Sequence, residues 1–195
     1  MNDILQEIVI HKRLEIERQK EAVKMRTLLH LSGEQLERPT VSMRTALEAS
    51  SSGIIAEFKR KSPSKGWLHP DAAVAEIIPS YEASGATACS VLTDEKFFGG
   101  SLRDLQEARS LVKLPLLRKD FIIDDYQLYQ TRVMGADAVL LIAACLEKDQ
   151  CQSLAETAHS LGLEVLLEIH SVDEIAYINP YIDMVVVSSC REVSA

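Results

Sequence analysis

Six short β-prone runs, at residues 54–58, 88–92, 114–118, 138–142, 164–168 and 184–187, recur along the chain with helix-forming segments between most of them. Those segments fall at 72–84, 101–112, 126–134 and 148–161, and three of them end in a glycine suited to a helix C-cap: Gly85, Gly135 and Gly162. Strands alternating with helices at this spacing predict βαβ units and a parallel sheet, because parallel strands need long crossover connections.

Two parallel architectures compete. An open doubly wound sheet that binds a dinucleotide carries a glycine-rich phosphate turn after its first strand, and no G-x-G-x-x-G occurs here. A (β/α)8 barrel places its chemistry at the C-terminal ends of several strands. The runs end in that manner: Glu57 and Lys59 close the first, Thr93 and Asp94 the second, Arg118, Lys119 and Asp120 the third, and Glu168 and His170 the fifth. The predicted fold is an α/β barrel of the (β/α)8 class.

The first strand leads directly into a charged turn, Glu57-Phe58-Lys59-Arg60-Lys61-Ser62-Pro63-Ser64-Lys65-Gly66. Alternation puts Ile55, Glu57 and Lys59 on one face, an acid beside a base. The turn's hydroxyls, cations and glycine backbone suit a small anion, and the alternative is a surface ion pair beside a polar loop. In the third strand Leu117 and Lys119 share a face, so the lysine follows an apolar neighbour into a partly desolvated mouth, where it would serve as a proton donor; the alternative is a lysine snorkelling to solvent. Glu168 follows Leu166 and Leu167 in the same way, and a lone glutamate there is most often an ion-pair partner.

The net charge of −8 argues against nucleic acid as a partner, since binding a phosphate backbone needs a broad basic surface. A local cluster of Lys59, Arg60, Lys61 and Lys65 on an acidic chain suits a small anionic ligand better. At 195 residues and 47% hydrophobic the chain predicts a single domain, 1–195. Residues 1–53 form an N-terminal helical extension, with one long helix running to about residue 26 and a weaker one around Met43, Ala46 and Leu47; residues 54–195 form the barrel portion. The opening segment is acidic where a secretory leader would be basic, and no apolar run is long enough to span a bilayer. Four cysteines without C-x-x-C spacing are expected to be reduced thiols in the cytoplasm.

Five motifs in order, AEFKRKSPSKG, SVLTDEKFFGGS, LPLLRKDFIIDDYQ, GADAVLLIAACL and LGLEVLLEIH, resemble the indole-3-glycerol phosphate synthase family from the first helix to about Asp183. The resemblance implies a lyase of tryptophan biosynthesis. Such an enzyme converts 1-(2-carboxyphenylamino)-1-deoxyribulose 5-phosphate to indole-3-glycerol phosphate with loss of carbon dioxide and water, without metal or organic cofactor. Carried over by position, Lys119 matches the general acid and Glu57 and Glu168 match the carboxylates that stabilise the iminium and move protons. Lys59 matches a substrate-binding lysine and second acid, and Ser62 and Phe98 match pocket-lining residues. The family's full-length members are expected to be monomers or fusions with other enzymes of the pathway.

After Asp183 the chain departs from the family pattern, and Ser188 stands where an active-site asparagine is expected. Six strand signals against the eight of a closed barrel imply that two βα units are missing, with the phosphate loops they would carry. From this follow the expectations of open strand edges, self-association through them, low stability and little turnover. The alternatives are a non-catalytic barrel fragment and an aldolase using Lys119 or Lys59 as a Schiff base.

Overall fold

The computed structural model describes residues 3–188. Three helices come first, α1 (Asp3–Ala22), α2 (Met25–Leu36) and α3 (Met43–Ala49). Strand β1 (Ile55–Phe58) follows, then a small hairpin of β2 (Lys61–Ser62) and β3 (Gly66–Trp67), and then α4 (Val74–Ala83), β4 (Ala88–Leu92), α5 (Glu95–Phe98) and α6 (Leu102–Leu111). The remainder runs β5 (Leu116–Lys119), α7 (Asp125–Val133), β6 (Ala138–Ile142), α8 (Lys148–Ser160), β7 (Glu164–Ile169) and β8 (Met184–Val187).

Six of these strands form one parallel sheet in the order β1-β4-β5-β6-β7-β8, each pairing with its predecessor, and the sheet curls into a half-barrel. Helices α4, α6, α7 and α8 supply crossovers. The last crossover, between β7 and β8, holds only a 3-10 turn at Asp173–Tyr177. Gly85, Gly135 and Gly162 all adopt positive φ, as C-cap positions demand. Strand β5 begins two residues later than the sequence pattern predicts, because Pro115 has no N–H for the ladder and contributes only its carbonyl, which accepts from Cys89 N at 3.0 Å.

Alternation sorts the side chains of the sheet. Val91, Leu116, Val139 and Leu167 face outward under the helices, while Leu117, Leu140 and Leu166 face the concave side. Each buried leucine contributes roughly 1.5–3 kcal/mol through its removal from water. Met43, fully buried, brings α3 against the concave cluster. Glu164, the first residue of β7, holds the N-terminus of α3 by accepting from Met43 N at 2.7 Å, Arg44 N at 3.0 Å and Ser42 Oγ at 2.5 Å. A carboxylate there satisfies N–H groups with no partner inside the helix.

The single N-terminal helix predicted to about residue 26 is two helices. The Tyr126 hydroxyl, from α7, donates to Gln19 O and Val23 O at 3.0 and 2.9 Å and so terminates α1 from outside. Helix α2 then packs along α7 with Leu28 buried against Ile16 and Tyr126. A cap supplied from a hundred residues away leaves no local trace in the sequence. The thiols of Cys89, Cys145 and Cys151 are free; Cys190 lies outside the described residues.

Candidate active site

Glu57, Lys59 and Lys119 meet at the C-terminal ends of β1 and β5. Glu57 Oε1 accepts from Lys59 Nζ at 2.5 Å and Oε2 from Lys119 Nζ at 2.5 Å, so each carboxylate oxygen holds one ammonium group. Register explains the meeting: Glu57 lies level with Ser90 of β4, Ser90 with Leu117 of β5, and Lys119 is the next residue of β5 on that face. Burial alone would push the Glu57 carboxyl up, but hydrogen bonds from Lys119 and Lys59 and their charges outweigh it and hold the group below the ordinary carboxylate range. The charged partner of Lys119 in the mouth is therefore a carboxylate.

Glu168 sits on the same concave face further round, level with Ile142 of β6 and Val186 of β8. Among the described residues its ion-pair partner is His170, with Nε2 at 3.1 Å from Oε1, and not Lys59 or Lys119. Phe98, at the end of α5, packs on the concave cluster with its ring centroid 5.9 Å from that of Phe121. Ser188 continues the alternation of β8 on the face of Glu168, and its backbone N donates to Ile169 O at 2.9 Å. Ser62 lies in the hairpin rather than in an open turn, and its Oγ accepts from Lys65 N at 3.3 Å.

The basic cluster of the first loop is divided in the structure. Lys59 turns to Glu57, whereas Arg60 forms two bonds to Asp104 of α6 at 2.8 and 2.9 Å, and Lys61 donates to Lys96 O at 2.6 Å. Arg60 and Lys61 thus tie the hairpin to α5 and α6 instead of offering charge to a ligand. Lys65 is on the exposed outer turn. The hairpin also depends on Gly99, where φ is +65° and a Cβ would strike the Trp67 ring; a Cβ on Gly100 would instead fall 2.0 Å from Leu92 O at the end of β4.

Four strand-end residues expected in the mouth lie elsewhere. Thr93, Asp94, Arg118 and Asp120 are buried at or just beyond the strand ends, at 4%, 0%, 1% and 2% exposure. They form a network whose centre is Lys12 of α1, with Nζ 2.9 Å from each of Asp94, Asp120 and Glu15. Arg118 donates to Asp120 at 2.9 Å, to Thr93 at 3.1 Å and to Gln127 O at 2.8 Å. Burial disfavours the Lys12 ammonium, but Asp120, then Asp94 and Glu15, outweigh it and hold the group well above the ordinary lysine value. Asp120 is correspondingly held far below the ordinary range, with burial overcome by Lys12 and Arg118. Lys12 was legible as an anomaly: it interrupts the stripe Ile8, Lys12, Ile16, spaced four apart on the buried side of α1.

No group of three or more His, Cys, Asp or Glu side chains among the described residues is placed to hold a metal ion. No helix among them is long and apolar enough to cross a membrane.

A parallel α/β barrel portion with two lysines and two carboxylates at the C-terminal ends of its strands defines a class: barrel enzymes that work by proton transfer and charge stabilisation. Comparison with known proteins resolves the class further. The model of the indole-3-glycerol phosphate synthase family matches residues 5–187. An indole-3-glycerol phosphate synthase of Bacteroides thetaiotaomicron is 60% identical over 185 residues, covering 95% of this chain and 70% of that protein. Enzymes of the same name from Neisseria meningitidis and Burkholderia ambifaria are each 48% identical, over 177 and 175 residues, covering 90% and 89% of this chain and 68% and 67% of theirs. The chain belongs to the indole-3-glycerol phosphate synthase family, carboxy-lyases of tryptophan biosynthesis.

Proposed function

We propose that the concave face closes the indole ring of 1-(2-carboxyphenylamino)-1-deoxyribulose 5-phosphate, with Lys119 as the general acid at the substrate carbonyl. Glu57 and Glu168 stabilise the iminium charge and move protons during dehydration, and Lys59 meets the substrate's anionic groups and serves as second acid. Ser62, Phe98 and Ser188 line the pocket. The observation that carries this reading is the single carboxylate of Glu57 shared by Lys59 and Lys119, both at 2.5 Å. Ring closure needs an acid at the carbonyl oxygen, which becomes a hydroxyl, and its later loss as water needs an acid and a base within reach of the same small substrate. Glu57 is an anion at neutral pH, and its basicity rises when Lys119 turns from it to the substrate.

The partner is a small phosphorylated aromatic amine, with no nucleic acid, and the site of action is the cytoplasm, which the free thiols of Cys89, Cys145 and Cys151 suit. Both lysines of the site are paired with Glu57, and a Schiff base at either would have to break that pair, which disfavours an aldolase. A second reading rests on the outer edges of β1 and β8, which have no strand partner among the described residues. It is a non-catalytic barrel fragment that associates through those edges. The test is a fluorescence assay of indole-3-glycerol phosphate formation on the purified chain, with and without chelator, and separately mass spectrometry of the chain after borohydride treatment with substrate. Turnover unaffected by chelator, with no lysine adduct, supports the synthase reading; absence of turnover favours the second, and a reduced lysine–substrate adduct the aldolase.

A further inference from the structure

The geometry points to His170 as the positioning residue for Glu168, with Glu174 as the anchor that holds the backbone of His170. This inference rests on the reading of Glu168 as a carboxylate that acts on substrate. Glu168 is the last residue of β7 on the concave face and sits between apolar neighbours, Ile142 on one strand and Val186 on the other, so neither adjacent strand offers it a polar partner at its own level. A carboxylate in such a place rotates freely unless something outside the sheet holds it.

His170, the next residue of that face, does so. Its Nε2 lies 3.1 Å from Glu168 Oε1, and its Nδ1 lies 3.8 Å from Glu174 Oε2. The same Glu174 oxygen accepts from the backbone N of His170 at 2.6 Å, so the anchor is itself fixed to the turn it serves. Glu168 is thus the close partner of the ring, while Glu174, too far from Nδ1 for a hydrogen bond, holds His170 through its backbone N. The other titratable group against these carboxylates is Cys145, whose thiol is pushed up to about 12 by burial and then by the charges of Glu168 and Glu174. It stays a neutral thiol and does not compete for the ring. Glu174 belongs to the 3-10 turn Asp173–Tyr177, which Tyr177 pins by donating its hydroxyl to Leu146 O at 2.9 Å.

Glu168 and Glu174 are mostly withdrawn from solvent, with 17% and 19% of their side chains exposed, while the ring between them is 32% exposed. A positioning group in that place directs Glu168 without occupying the substrate's space. Fixing a reacting group matters because misplacement by about 1 Å can cost on the order of 100-fold in rate.

The experiment combines kinetics with imidazole NMR on the full chain. Expected for His170→Leu is a kcat lower by about 10- to 100-fold with KM little changed; His170→Gln, which keeps an N–H near the Nε2 position, should restore most of the loss. A merely structural role would not give that split or that rescue. In 15N-edited spectra, Glu168→Gln should move the His170 Nε2 resonance and Glu174→Gln the backbone amide of His170. The inference is overturned if Glu168→Gln leaves the ring nitrogens unmoved, or if His170→Leu leaves kcat unchanged. Absence of all turnover in the parent chain would refute the synthase reading instead, and the ring resonances would then decide the His170 clamp on their own.

Discussion

Lys119 Nζ reaches Glu57 Oε2 at 2.5 Å although a whole strand, β4, lies between their backbones. The reach is possible because Ser90, the β4 residue level with Glu57, is small, and because Lys119 is one alternation step further along β5. The ion pair therefore depends on the register of three strands at once.

The pair makes Lys119→Met the most direct test of the acid. A positioned general acid contributes about 10²–10⁴ in rate, so kcat should fall by that factor while the affinity for a substrate analogue changes little. The measurements are steady-state turnover and calorimetric binding. Near-normal turnover in the variant would refute the role. Glu57→Gln should also lower kcat strongly, since it removes the anion that holds both lysines.

A second expectation concerns Lys12, which is fully buried and lies 2.9 Å from two buried carboxylates. Removing one member of a buried ion network strands the others, at a cost of about 3–5 kcal/mol. Lys12→Met should shift the urea midpoint accordingly. Adding Asp120→Asn to that variant should cost less than the sum of the two changes, because they share one network. Strict additivity of the two would mean that the network is not coupled.

How much of this was legible in the sequence varies with the distance over which each feature is decided. Strands β4, β6 and β8 match the expected 88–92, 138–142 and 184–187, because a run of apolar β-prone residues bounded by turns is a local signal. The alternation rule also placed Glu57, Lys119 and Glu168 on the concave face. It could not place Asp94 and Asp120, whose burial is decided by a lysine about a hundred residues away on α1. Nor could it divide the cations of the first loop, since Arg60 is claimed by Asp104 on a later helix. The break between α1 and α2 has the same origin, in the hydroxyl of Tyr126.

Acid should weaken the fold through Asp120. Its folded carboxyl lies far below the ordinary value of about 3.9 that it takes when unfolded, so its contribution is fully present above that value and is lost as pH falls toward the folded one. Lys12 has the opposite sign. Its raised value keeps its contribution intact below about 10.4 and removes it only as pH climbs through the folded value. Between pH 5 and 9 neither group changes charge, so this network should add no slope to stability there. Urea midpoints measured from pH 7 down to pH 3 should begin to drop near pH 4, and Asp120→Asn should flatten that drop. An unaltered acid limb in the variant would remove Asp120 from the account.

The last expectation concerns the edges of the half-barrel. Among the described residues β8 pairs only with β7, and Val185, Val186 and Val187 retain 43%, 38% and 71% exposure; at the other edge Ile54, just before β1, is 55% exposed. An exposed apolar edge with unpaired N–H and C=O groups is a template for another strand, and proteins that avoid this outcome place charge there. Self-association should therefore grow with concentration, read as a rising weight-average mass in sedimentation. Val187→Lys, with a charge on the most exposed position of β8, should reduce it without altering Glu57 or Lys119. A chain that stays monomeric at every concentration would show that the two edges are covered, and would sink the edge-pairing reading.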